Sequence, residues 1–124
     1  GMVVNGKAGD SAMDELSTLG ENTVAEFYQD RGFSVSRDEP SLFPLQSATL
    51  DDLKGGDAGE NAATIRAILA GEDRGPRRDA VLLNAAHALF VAARTKSAIE
   101  GWDLAASVID DGLAKSKLAE LTSD

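Results

Sequence analysis

The chain has 124 residues, a net charge of −9, one histidine and no cysteine. Its length suits one domain, and 43% apolar with 27% charged residues is typical of a folded protein rather than a disordered one. The missing cysteines exclude disulfides and cysteine-based zinc sites, and no apolar run is long enough to cross a bilayer. The acidic balance argues against nucleic-acid and anionic-membrane surfaces. We therefore expect a cytoplasmic protein that binds neither nucleic acid nor membrane.

The first residues predict one short strand followed by a loop. Gly1 resembles a residue left by tag cleavage, and it is excluded from the fold prediction. Residues 2–4 form an apolar run of the kind that a buried strand supplies. Asn5 and Gly6 are a strong turn signal, and the small, polar residues 6–12 predict a loop.

A β-hairpin is predicted in the next part of the chain. Residues 23–28 and 33–37 are rich in β-branched and aromatic side chains. Residues 29–32 separate them, and we expect Gly32 to take a positive φ in the turn. Residues 2–54 are thus interpreted as the strand and hairpin half of a single domain that spans residues 1–124.

The other half, residues 55–124, carries helix patterns. A short helix over residues 49–54 precedes it, and residues 80–93 are apolar except for Asn84 and His87, which predicts a helix buried on most sides. Capping boxes, a first-turn proline and glycine stops mark the helix ends. These signals are Asp57 with Glu60, Gly71, Pro76, Ser97 with Glu100, and Gly112.

Asp14 and Glu15 are the candidate metal ligands. Two adjacent carboxylates after a strand can hold a hard cation such as Mg²⁺, which prefers oxygen ligands and keeps several waters. The alternative is a solvated acidic turn or a helix start.

Arg74, Arg77 and Arg78 form a cationic cluster near a predicted helix start. That position could face a phosphate, because the first-turn N–H groups of a helix favour anions. The favoured alternative is a surface ion-pair patch with Asp73 and Asp79.

The remaining candidates are interpreted as structural. His87 and Trp102 lie on helix faces and are expected in the core. Gly55, Gly56 and Asp57 resemble a phosphate-cradling fragment, but no strand precedes them, so they more simply end one helix and cap the next. With one histidine and no cysteine, no nucleophilic triad is available, and we assign no catalytic or cofactor-binding residue.

Two segments carry a family resemblance. Residues 55–71 and then residues 75–86, which read Gly-Pro-Arg-Arg-Asp-Ala-Val-Leu-Leu-Asn-Ala-Ala, resemble the C-terminal part of anthranilate phosphoribosyltransferases. The resemblance reaches back to residues 13–17 and covers essentially the whole chain. It implies an α/β fold in which short strands and a β-hairpin precede four or five helices, as a partial nucleoside phosphorylase/phosphoribosyltransferase-type C-terminal domain.

The resemblance also implies a function. Members of the family transfer the phosphoribosyl group of phosphoribosyl pyrophosphate to anthranilate in tryptophan biosynthesis, use Mg²⁺ and are usually dimers. Their Gly-Leu-Asp-Glu loop helps to hold a metal on the pyrophosphate, and it is matched here by Ala12, Met13, Asp14 and Glu15. The resemblance therefore implies that Asp14 and Glu15 are metal ligands.

Other family features are absent from the sequence. The family's Gly-Thr-Gly-Gly-Asp diphosphate loop and its N-terminal helical subdomain have no counterpart here. We expect a C-terminal fragment that is inactive alone, and either a homo-oligomer or a chain that lacks its N-terminal portion. The alternative is a stand-alone, non-catalytic interaction domain derived from the family. Arg77, Arg78 and Asn84 match the family motif and are interpreted as structural.

Overall fold

A computed structural model describes residues 1–29 and 32–123. Four strands form one antiparallel sheet, whose spatial order is β2-β1-β3-β4. The strands are β1 (Met2–Ala8), β2 (Ser11–Met13), β3 (Asn22–Tyr28) and β4 (Gly32–Asp38). After a 3-10 turn at Pro40–Leu42, the helices in this part of the chain are α1 (Leu50–Leu53), α2 (Ala58–Leu69), α3 (Pro76–Val91), α4 (Ala98–Asp110) and α5 (Leu113–Thr122). The predicted α/β fold, with strands before helices, is confirmed.

The first strand is longer than predicted. β1 continues through Asn5 and Gly6, and the chain reverses instead at Gly9, whose φ is +59°. Gly6 stays extended because it pairs with Met13 on one side and Asn22 on the other. The predicted turn at Asn5-Gly6 and the loop over residues 6–12 are therefore wrong.

The predicted hairpin is confirmed. β3 and β4 pair from Asn22 with Asp38 to Tyr28 with Gly32, and Gly32 has a φ of +82°. Asp30 and Arg31, two residues of the predicted turn, lie outside the described residues.

The predicted helix caps differ in how completely they form. The backbone N–H of Glu60 donates to Asp57 at 2.9 Å, and that of Asp57 donates to Glu60 at 3.0 Å, as a capping box requires. Ser97 accepts from the N–H of Glu100 at 3.2 Å, but the Glu100 carboxylate accepts from the N–H of Lys96. The second predicted box is therefore only half formed.

One core joins the sheet to the helices. Its buried members are Leu16, Val24, Phe43, Ile68, Leu82, Leu83, Ala86, Trp102, Ala105 and Ile109. Gly101 allows α3 and α4 to approach closely, since a Cβ on it would lie 2.4 Å from the carbonyl oxygen of Ala86.

Helix α3 is exposed only along a narrow stripe that contains Val81, Ala88 and Val91, and its other residues are buried or half-buried. Leu82, Leu83 and Ala86 are buried, whereas Val81 and Val91 are exposed. The predicted burial on most sides is confirmed for Pro76–Val91, since α4 and α1 both pack on this helix, and the exposed stripe includes Val81, which lines an open cleft. No helix in the described part of the chain combines the length and apolar character that a bilayer crossing requires.

The outer sheet face carries an apolar patch, which consists of Val3, Ala25, Phe27, Phe33 and Val35. Strand register places them together, because Val3 and Val35 both pair with Ala25, and Phe27 pairs with Phe33. Phe33 is 70% exposed and Val3 is 64% exposed. Strands β1 and β3 thus pack their other face on the core, and this apolar patch stays open.

Candidate functional site

Asp14 and Glu15 follow strand β2 directly and lie in a bend of the chain with both residues exposed. Their oxygens are the ligands that Mg²⁺ prefers. Within residues 1–29 and 32–123, no group of three or more Asp, Glu, His or Cys residues is arranged to hold a metal. The donor chemistry fits Mg²⁺, but most of its coordination would have to come from water or phosphate oxygens.

The residues around this pair are tightly held. We define residues 13–17 as the carboxylate segment. On its upstream side, the Asn5 side chain donates from Nδ2 to the carbonyl oxygen of Met13 at 2.9 Å, and Met13 pairs with Gly6 across the β1–β2 ladder. The segment thus leaves the sheet from a fixed point.

Two further asparagines hold the downstream side. The Leu16 N–H donates to Asn84 Oδ1 at 2.9 Å, and Asn84 Nδ2 donates to the Leu16 carbonyl at 3.0 Å. The Ser17 N–H donates to Asn22 Oδ1 at 2.7 Å, and Asn22 Nδ2 donates to the Ser17 carbonyl at 3.0 Å. Each amide thus satisfies both backbone groups of one residue.

A glycine lets the segment lie against strand β1. A Cβ on Gly6 would lie 2.5 Å from the backbone nitrogen of Ser17 and 2.6 Å from the carbonyl oxygen of Glu15. Those distances are shorter than van der Waals contact, so any larger residue would displace the backbone that carries Glu15.

A cleft opens beside the carboxylate segment. It has a volume of about 910 Å³ and lies between this segment and helices α1, α2 and α3. Glu15 and Thr18 line it on one side, and Ile65, Arg77 and Val81 line it on the others. One of the two candidate ligands therefore borders a space large enough for a small-molecule substrate.

The cationic cluster binds protein groups. Arg77 donates from Nε to the carbonyl of Asp52 and from Nη2 to that of Lys54, both at 3.0 Å, and so caps the end of α1. The buried Arg78 and the exposed Arg74 both pair with Asp110 at 3.0 Å.

The predicted partners of that cluster are wrong. Asp79 accepts from the backbone N–H of Gln46 at 2.8 Å, and Asp73 accepts from that of Gly75 at 2.8 Å. The arginines pair instead with Asp110, the last residue of α4. Gly101 lets α4 lie close to α3, and Arg78 lies in the first turn of α3.

The other sequence candidates are placed in the scaffold. His87 is buried and donates from Nδ1 to the Leu83 carbonyl at 2.9 Å, and Phe43 packs between His87 and Trp102. The carbonyl only accepts, so Nδ1 carries the hydrogen. The predicted core positions of both residues are confirmed.

The Gly55-Gly56 pair serves as a helix connection. Gly56 donates its N–H to Asn61 Oδ1 at 2.9 Å, and Asn61 Nδ2 donates to the Gly56 carbonyl at 3.0 Å. The backbone groups of Gly56 are therefore occupied within the chain, as the structural interpretation of this pair predicted.

Asp52, on helix α1, is a charged group whose environment favours ionisation. The Thr49 backbone N–H and then the Thr49 hydroxyl, both at 2.7 Å, lower the pKa of its carboxyl below the ordinary 3.8, and Arg77 lowers it further. Partial desolvation opposes these effects without reversing them.

Sequence reasoning missed the three asparagines that hold the carboxylate segment. The sequence predicts a turn at Asn5 and a structural role for Asn84, and it indicates no role for Asn22. One signal was available, because Asn84 is one of two polar residues in the apolar stretch over residues 80–93. A buried amide in such a position needs partners, although the sequence does not identify them.

Comparison with known proteins identifies the family. Residues 1–115 match the family described as glycosyl transferase family, a/b domain. An anthranilate phosphoribosyltransferase from Geobacter sp. (strain M21) is 45% identical over 123 residues, which cover 99% of this chain and 34% of that protein. The enzyme of the same name from Parvibaculum lavamentivorans is 46% identical over 117 residues, covering 93% and 33%.

Solved structures give the same result. The crystal structure of anthranilate phosphoribosyltransferase from Thermus thermophilus superposes with a TM-score of 0.80 at 40% identity, over 97% of this chain and 34% of that one. The Saccharomyces cerevisiae enzyme in complex with 4-fluoroanthranilate gives 0.81 at 26% identity, over 95% and 33%. The chain thus spans about a third of the length of these relatives. It belongs to the glycosyl transferase family, in its a/b domain, and the predicted resemblance to anthranilate phosphoribosyltransferases is confirmed.

Proposed function

We propose that this chain supplies Asp14 and Glu15 as Mg²⁺ ligands to a phosphoribosyl-transfer site, with phosphoribosyl pyrophosphate as donor and anthranilate as acceptor. The observation that supports this most strongly is the placement of two exposed carboxylates on a backbone segment that asparagine side chains hold on both sides. A solvated acidic turn would not need such support. The cleft beside Glu15 supports the proposal further.

The chemistry assigned to each group is simple. When bound, Mg²⁺ neutralises the charge that gathers on a departing pyrophosphate and so stabilises the transition state more than the ground state. Asp14 and Glu15 hold the cation at the segment, and the asparagines limit the movement of that segment. Pyrophosphate oxygens and water would have to complete the coordination, because this chain contributes a carboxylate pair and no larger cluster among its described residues.

We further propose that the chain alone does not catalyse this transfer. A sugar must be oriented against its acceptor before reaction, and the sequence lacks the family's glycine-rich diphosphate loop. The test follows anthranilate fluorescence while the purified chain is incubated with Mg²⁺ and phosphoribosyl pyrophosphate. We expect no turnover, and turnover proportional to chain concentration would overturn this part of the proposal.

A chimera tests the role of the carboxylates. The matching third of the Geobacter relative would be replaced by this chain, to which it is 45% identical. We expect the chimera to consume anthranilate, and Asp14→Asn or Glu15→Gln to lower kcat/KM about ten-fold or more. Asp10→Asn is the matched control, because it removes an exposed acid from the neighbouring β1–β2 turn. If kcat/KM fell equally in all three variants, the loss would follow from the change in net charge, and the proposal would be contradicted.

The second candidate is a non-catalytic interaction domain, and the outer sheet face favours it. An apolar face that contains Phe33 at 70% exposure usually marks an interface. Sedimentation of the wild-type chain and of a Phe33→Ser, Val35→Ser variant tests whether copies associate through it. Leu121→Ser is the control, since Leu121 is at least as exposed as Phe33 but lies on α5.

Self-association would not decide between the two functions, because a segment of a larger enzyme also exposes the surface that its other parts cover. The chimera does decide. A folded, inactive chimera would favour the interaction domain, whereas an active one whose rate depends on Asp14 favours the transferase.

A further inference from the structure

We propose that Asn84 is a positioning residue for the Asp14–Glu15 pair. This inference rests on the proposed metal role of that pair and extends it to a residue on a different element, 68 positions along the chain from Leu16. Asn84 belongs to the Gly-Pro-Arg-Arg-Asp-Ala-Val-Leu-Leu-Asn-Ala-Ala motif, whose function the metal site does not otherwise explain.

The geometry of the Asn84 amide is specific. Its oxygen accepts from the Leu16 N–H, and its nitrogen donates to the Leu16 carbonyl. Both polar backbone groups of Leu16, the residue that follows Glu15, are therefore bound. The same nitrogen donates to the Ala80 carbonyl at 3.0 Å, one turn earlier in α3, which fixes the side-chain orientation. A carboxamide carries a donor and an acceptor side by side, and a hydroxyl or a carboxylate does not match both partners as well.

The helix side of this contact is anchored in the core. Leu82, Leu83 and Ala86 flank Asn84 on α3 and are buried in the core. The carboxylate segment leaves strand β2 at Met13 and, up to the start of β3, belongs to no helix or strand. Side-chain amides therefore replace regular backbone hydrogen bonding in holding the residues that follow the carboxylates.

Positioning has a consequence for metal affinity. If the Leu16 backbone loses its partners, the segment samples more conformations, and a cation must order it before both carboxylates can bind. Supporting groups behind metal ligands typically contribute about ten-fold or more in affinity. The burial of the Leu16 side chain in the core would remain, so the effect of Asn84 can be separated from that of Leu16.

The test uses Mn²⁺ as a paramagnetic probe of the whole chain in solution. Mn²⁺ should broaden the amide signals of residues 14–16 in the wild type, and Asn84→Ala should raise the Mn²⁺ concentration for half broadening about ten-fold. The Leu16 amide should also exchange with solvent faster. Asn61→Ala is the matched control, because it removes the same kind of two-bond amide contact, at Gly56, and should leave the Mn²⁺ response unchanged.

A second variant, Asn84→Asp, separates positioning from charge and does not depend on Asn84→Ala being folded. The carboxylate can still accept from the Leu16 N–H, but it faces the Leu16 carbonyl without a donor. An added negative charge would by itself strengthen Mn²⁺ binding, whereas lost positioning weakens it. We expect weaker binding, and stronger binding would overturn the inference.

The remaining outcomes are also distinct. Wild-type Mn²⁺ affinity in a folded Asn84→Ala variant would overturn the positioning role and leave the metal role intact. If Mn²⁺ broadened no signals of residues 14–16 in the wild type, both the metal role and the positioning role would fail.

Discussion

The two faces of the sheet carry similar side chains in different surroundings. On the inner face, Val24 belongs to the core that the helices complete. On the outer face, strand register places Val3, Phe27 and Phe33 near one another, but they remain largely exposed. Alternating direction along each strand separates the two sets, although the sequence makes both apolar. Apolar character therefore identifies the strands, and coverage by the helices decides which side chains stabilise the fold.

The largest expected difference between core and outer face comes from truncating one side chain in each. Leu83 is 1% exposed, so Leu83→Ala should lower the free energy of unfolding by about 2–5 kcal/mol through lost burial and a cavity. Phe33→Ala should lower it by about 1 kcal/mol or less, because Phe33 is largely exposed and its loss removes a cross-strand pair with Phe27. Urea denaturation measures both. Equal losses would contradict the distinction between the two faces.

A smaller expected effect concerns the close approach of α3 and α4. Gly101→Ala should lower the free energy of unfolding by about 1–3 kcal/mol, because the added Cβ meets the Ala86 backbone at 2.4 Å. Gly59→Ala is the control, since its Cβ would meet only the Asp57 side chain, and its effect should be about 1 kcal/mol or less. Thermal unfolding of both variants would show whether α3 and α4 pack as tightly as the short distance between Gly101 and Ala86 implies. A tolerated Gly101→Ala would show that it is not.

The smallest expected effect lies at the exposed start of α1 and depends on pH. Hydrogen bonds from Thr49, and then Arg77, hold the folded pKa of Asp52 below its ordinary value of 3.8. The ionised carboxylate therefore stabilises the fold above pH 3.8, and this contribution is lost as the pH falls through the folded pKa. The stability difference between wild type and Asp52→Asn should be largest near neutral pH and should shrink below pH 3.8. A difference that grew on acidification would reverse the assigned sign.

Sequence patterns predicted the fold better than they predicted the support of the site. Helix starts at Asp57 and Pro76 and the hairpin at Gly32 depend on local backbone preferences, and they form as expected. The length of β1 does not depend on local backbone preferences alone, because Gly6 remains extended only when Met13 and Asn22 pair with it.

The candidate site shows the same division between local and distant information. Asp14 and Glu15 could be proposed from their residue types and the family resemblance. The amide of Asn84 and the backbone of Leu16 are 68 positions apart, and only the packing of α3 against the carboxylate segment brings them together. Arg78 illustrates the same limit, because its partner Asp110 lies 32 positions away rather than beside it.

Isothermal titration of the chain with Mg²⁺ tests the central claim most directly. We predict weak binding, with a Kd of about a millimolar or above, because two carboxylates leave most of the coordination to water. Asp14→Asn should abolish it, and Asp10→Asn should preserve it. Tight binding, or weak binding that Asp14→Asn leaves unchanged, would contradict the assignment of the carboxylate segment as the metal-binding part of this chain.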